Sequence, residues 1–101
     1  MTDMEKSRRE SLRWMILSSL NFARPLGASE RVVLRAIQEE IRDLTRLELR
    51  REIDYLCGRA LVEVEDKKAP AWHLRLTRNG VDVVEHTVEV EPGIARPPRY
   101  W

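Results

Sequence analysis

Thr45-Arg46-Leu47-Glu48-Leu49-Arg50-Arg51-Glu52-Ile53-Asp54-Tyr55-Leu56-Cys57-Gly58 decides how this chain folds. A threonine followed three residues later by a glutamate is a capping box: the hydroxyl takes an orphan amide of the first turn and the carboxylate reaches back to the cap. Leu44 before the cap and Leu49 after it stand at hydrophobic-staple positions. Leu49, Ile53 and Leu56 repeat at helical spacing and make an inward stripe. Gly58 is read as the left-handed residue that stops the helix. Both ends of this segment are therefore marked by local chemistry.

Downstream the period changes from helical to alternating. Leu61–Glu65 and Ala71–Leu76 each alternate, with Val62 and Val64 on one face of the first run and Trp72, Leu74 and Leu76 on one face of the second. The polar stretch Asp66-Lys67-Lys68-Ala69-Pro70 between them reads as a turn, so the pair predicts an antiparallel hairpin. Thr77 caps a fourth helix from Arg78 to about Glu85 carrying Val81 and Val84; the β-branched run beyond it also allows a strand at Thr87–Val90. Residues 91–101, with prolines at 92, 97 and 98, form an extended tail, so the domain proper is expected to span residues 1–90.

Upstream are two more helices. Leu12, Met15, Ile16, Ser19, Leu20 and Ala23 give one face of a first helix, ended by Arg24-Pro25-Leu26-Gly27. Ser29 caps a second, whose stripe is Val33, Leu34, Ile37 and Ile41. The whole reads as an α+β chain: a three-helix bundle, a hairpin, a C-terminal helix and a tail.

The totals narrow the function. A chain of 101 residues holds one domain. Its formal net charge of +1 neither favours nor opposes a polyanionic partner, so only clustering of charge can decide. The lone cysteine, Cys57, rules out a disulfide framework within the chain and suits a reducing cytosol. No stretch has the length and apolarity of a membrane span, and Met1–Lys6 lacks the apolar core of a secretory signal. Cys57, His73 and His86 lie on separate elements without metal-ligand spacing, and no phosphate loop or apolar carboxylate pair is present. No cofactor, metal or enzymatic chemistry is expected.

The order helix, helix, capped helix, hairpin resembles the winged helix-turn-helix. Glu52–Val62 is similar to the end of the recognition helix and the start of the wing in bacterial repressors. Leu74-Arg75-Leu76-Thr77-Arg78-Asn79-Gly80 resembles the second wing strand running into the last helix of the multiple-antibiotic-resistance, phenolic-acid and metal-sensing repressor families. Gly27-Ala28-Ser29-Glu30 and the Pro92–Pro98 tail resemble small proteins of Mu-like phages and prophages labelled as winged-helix regulators. The resemblance implies double-stranded DNA as partner, for a small transcriptional regulator or accessory DNA-handling protein. The competing expectation is a protein-interaction module in a phage assembly or packaging complex.

On that reading the third helix enters the major groove with its first turns. Leu47, Arg51, Asp54 and Tyr55 face outward when the apolar stripe faces in. Arg46, Arg50 and Arg51 are the candidates for guanine or phosphate, Leu47 for a thymine methyl, and Lys67 and Lys68 for phosphates at the hairpin tip. Glu48, Glu52 and Asp54 offset those arginines. On the first helix Trp14 and Leu17 fall outside the main apolar face, which calls for a cover: the tail through Ile94, Tyr100 and Trp101, or a second subunit of a homodimer.

Overall fold

The computed structural model describes residues 2–99. Its longest element is α1 (Asp3–Phe22), opened by Thr2, whose hydroxyl accepts from the Glu5 amide at 3.1 Å. A short strand β1 (Ala28–Ser29) leads into α2 (Glu30–Gln38), capped by the Ser29 hydroxyl. Next come α3 (Arg46–Gly58), β2 (Val62–Val64), β3 (His73–Leu76) and α4 (Arg78–Val84). The described residues thus make an α+β fold, with four helices and one antiparallel sheet in the order β1-β3-β2.

The expected hairpin forms, with Val62 opposite Leu76, Glu63 opposite Arg75 and Val64 opposite Leu74. Strand β1 is an addition: Ala28 pairs with Leu74 and Ser29 with His73. Two residues are too few to show alternation in a sequence, which is why β1 read as a helix lead-in. The second helix ends at Gln38, earlier than its stripe suggested, although the Ile41 amide still bonds Ile37 O at 2.9 Å.

The core is built around α1. Leu12, Ile16 and Leu20 are completely buried together with Leu49, Ile53 and Leu56 of α3 and Leu74 of β3. Leu17 is also completely buried, so of the two covers expected for it, the same chain's tail or a second subunit, the chain itself supplies the cover. The reason is that α4 packs on α1 and the tail closes over the same side: Ile94 is buried, and the Ala95 amide bonds Glu10 O at 3.1 Å. Among the described residues beyond Val84 there is no strand; Thr87 turns back to bond Asp82 O through its amide and hydroxyl.

Two local signals resolve differently from expectation. Thr45 does accept from the Glu48 amide at 3.2 Å, but the Glu48 carboxylate goes to Arg8 on α1 instead of returning to the cap. Gly58 lies inside α3, and the left-handed residue is Ala60 at φ 60. The Leu61 amide bonds Leu56 O and the Ala60 amide bonds Cys57 O, both at 3.0 Å, the paired closure of a Schellman end. The helix runs on past its glycine because that register delivers Leu61 to the core.

The segment Leu76-Thr77-x-x-Gly80 has a clear physical role. The Thr77 hydroxyl accepts from the Gly80 amide at 3.1 Å and donates to Ala60 O at 2.5 Å, while the Thr77 amide bonds Leu61 O. A Cβ on Gly80 would overlap the Leu61 carbonyl, so only glycine lets α4 start this close to the hairpin base.

Candidate functional site

The outward strip of α3 is Arg46, Leu47, Arg51 and Asp54. Leu47 is 64% exposed, large for a leucine on a helix with a packed opposite face. Arg51 is exposed and has no ion pair or hydrogen bond among the described residues. Arg46 is half exposed, its nearest carboxylate being Glu30 at 3.8 Å.

Arg50 is elsewhere employed. Its guanidinium grips Glu30 with two bonds, 2.9 and 2.8 Å, and lies 4.3 Å from the centre of the Trp72 ring. Glu30 is fully buried and also accepts the Trp72 amide. Burial pushes its carboxyl upward, but Arg50 and the Trp72 N–H together outweigh that and hold it below its ordinary value. Glu30 thereby joins α2, α3 and the tip-side start of β3. Sequence reasoning missed this group, since a glutamate in the first turn of a helix reads as a simple complement to the dipole. Its partner stands twenty positions away, with no local pattern to announce it.

Tyr55 is also withdrawn from the outward strip. Its ring is half-buried, with Arg13 stacked at 3.5 Å and Arg59 at 5.0 Å, and the tail passes over it at Gly93. At the hairpin tip Lys67 is bound to Asp54 at 2.6 Å, and that carboxylate holds the ammonium above its ordinary value. Lys68 is exposed, and its side chain has no carboxylate partner among the described residues.

The carboxylates of α3 are engaged as well. Glu48 takes Arg8 at 2.7 Å and Glu52, itself buried, takes Arg13 at 2.8 Å, both across to α1. Asp54 takes Lys67. The three acids that looked like an offset to the arginines are all in ion pairs, two of them on the side of the helix away from Leu47 and Arg51.

Of the interface candidates, Trp14 is half-buried, Leu17 belongs to the core and Ile94 docks within the same chain. Tyr100 and Trp101 lie outside the described residues. Among the described residues no three His, Cys, Asp or Glu side chains converge as metal ligands. The Cys57 thiol is pushed up by burial, which lowers its thiolate fraction and its reactivity. No helix among the described residues is long and apolar enough to cross a membrane. No protein-family model, curated protein or solved structure matches this chain.

Proposed function

We propose that this is a winged-helix domain that binds double-stranded DNA, as a small transcriptional regulator or accessory DNA-handling protein of a phage or prophage. In this reading α3 is the recognition helix and the β2–β3 hairpin is the wing. Three helices followed by an antiparallel hairpin suit that arrangement. One observation carries it: every carboxylate on α3 is tied up in an ion pair, so the charge left free on the outward strip is positive. Arg51 and Arg46 then read base edges, Leu47 meets a thymine methyl and Lys68 a phosphate. Arg50, Lys67 and Tyr55 position the elements instead of touching DNA.

With so few free cations, binding to any one site is modest and salt-dependent. Selection from a random duplex pool, followed by titration at two salt concentrations, tests the proposal. Arg51→Ala should lower specific affinity by about tenfold or more, as expected for one bidentate base contact, without loss of stability. No enrichment and no binding at low salt would remove DNA from the account. The second reading, a protein-interaction module in a phage assembly or packaging complex, is favoured by the exposed Leu47 at the middle of the strip. Leu47→Asp would then abolish partner binding while Arg51→Ala spared it.

A further inference from the structure

One side of α1 holds Met4, Ser7, Ser11, Trp14, Met15, Ser18 and Phe22, of which Trp14 and Met15 are half-buried and also pack in part against the core. At 100° per residue these seven fall within about a third of the helix circumference. None of them carries charge, in a chain that is 35% Asp, Glu, Lys and Arg. The charged side chains of α1 go elsewhere: Arg8 and Arg13 cross to α3, and Glu10 sits beside the tail. Met4 is 84% exposed and Phe22 90% exposed. Beside the stripe a cleft of about 310 Å³ opens between α1 and α2, lined on the α1 side by Trp14, Met15, Ser18, Ser19 and Phe22 and on the other by Ala36, Ile37 and, at its rim, the exposed Glu40. The described part of the tail lies on another side of α1, at Glu10 and Arg13, and leaves the stripe uncovered.

We infer that this stripe is the seam of a homodimer in which α1 of one copy packs antiparallel on α1 of the other. The pattern complements itself. A two-fold axis crossing the helix near Leu12–Arg13 brings Met4 to Phe22 of the other copy, Ser7 to Ser18, and Ser11 to Trp14 and Met15. Bulky groups thus meet either a small serine or another bulky apolar group, and no charge is buried without a partner. The serines let the two axes approach closely, toward the short end of the usual range of about 8–10 Å. From Met4 to Phe22 the seam is about 27 Å long. An exposed aromatic such as Phe22 supplies most of about 150–250 Å². With Met4 and the exposed parts of Met15 and Trp14 the seam stays below about 600 Å² per partner, the range of weak pairs that associate only as concentration rises. A two-fold contact of this kind closes on itself and stops at two copies. The inference stands whether or not α3 binds DNA.

Sedimentation equilibrium of the full chain across a wide concentration range tests it, with Ser11→Arg and Phe22→Asp compared to wild type. Wild type should move from monomer to dimer, and each variant should raise the dissociation constant at least about tenfold. Phe22 has too little burial for its substitution to disturb folding, and circular dichroism checks Ser11→Arg. A wild-type chain that stays monomeric throughout overturns the inference. So does a dimer that persists in both variants, since its interface would then lie elsewhere.

Discussion

Two buried carboxylates in this molecule are held in the same way and do different jobs. Glu30 is bound by Arg50, and Arg50 stacks on Trp72; Glu52 is bound by Arg13, and Arg13 stacks on Tyr55. Each unit is a carboxylate, a guanidinium and an aromatic ring, and each ties a non-helical segment to the helices. At Glu30 the segment is the tip side of the hairpin, through the Trp72 amide. At Glu52 it is the tail, through Arg13 donating to Gly93 O at 2.8 Å. The difference lies in what remains when the carboxylate is gone. Each arginine keeps a carbonyl and a ring, Arg13 with Gly93 O and Tyr55 and Arg50 with Pro70 O and Trp72, but loss of Glu30 also orphans a buried backbone N–H. The first unit is therefore the stiffer, and it is the one that fixes the hairpin relative to α3.

The largest expected effect follows from that asymmetry. Glu30→Ala should cost about 3–5 kcal/mol in denaturant unfolding, as for breaking a buried pair from one side. Glu52→Ala should cost about 1–3 kcal/mol less, the share of the orphaned amide. Equal losses would end the distinction. The pH dependence follows the same unit. The Glu30 carboxyl is held below its ordinary value in the fold, so its contribution is fully present above the unfolded-state pKa and disappears as pH falls through the folded one. Unfolding followed from about pH 6 down to about pH 3 should show a steeper loss in wild type than in Glu30→Gln.

A smaller effect sharpens the tail side of the comparison. Ile94→Ala should destabilise by about 2 kcal/mol, the low end for emptying a buried aliphatic site, and should leave the contacts around Glu30 intact. An unchanged melting temperature would mean that residues 91–96 lie on the fold without helping to hold it.

The smallest effect is a gain. Ala60 sits at φ 60, where a Cβ is disfavoured, so Ala60→Gly should stabilise by about 1 kcal/mol. The same substitution at the preceding residue, Arg59, which is not left-handed, should not.

These cases also mark how far the sequence could be read. Ser29, Thr45 and Thr77 were legible as caps because a hydroxyl and an amide two or three positions on form a local unit. The hairpin was legible because alternation over four to six residues is also local. Ala60 was not, since the choice between it and Gly58 was made by where Leu61 had to go. Leu17 was legible as a residue in need of a cover, but periodicity on one helix could not choose between the chain's own tail and a second subunit, a choice made by Ile94 far along the chain. The candidate site was legible as a face and illegible as charges. Arg50 and Tyr55 looked free on a helical wheel, and only contacts with Glu30, Arg13 and Gly93 withdraw them.

The bonds at Thr77 have a consequence for the length of the chain between them. Ala60 O, Leu61 O, the Thr77 hydroxyl and amide and the Gly80 amide knot the two feet of the hairpin together. The path from Leu61 to Thr77 thus returns to nearly the same point, its strands packed on the core through Val62, Trp72 and Leu74 and only its tip standing outermost. What happens at its far end, between Lys68 and Ala69, does not alter where the feet stand. Extra residues inserted there would lengthen the excursion and leave the helices in place, so long as Trp72 keeps its seat beside Glu30. That makes the tip the natural position to splice in a reporter peptide or a fluorophore, and a place where descendants of this chain can vary in reach without changing their frame.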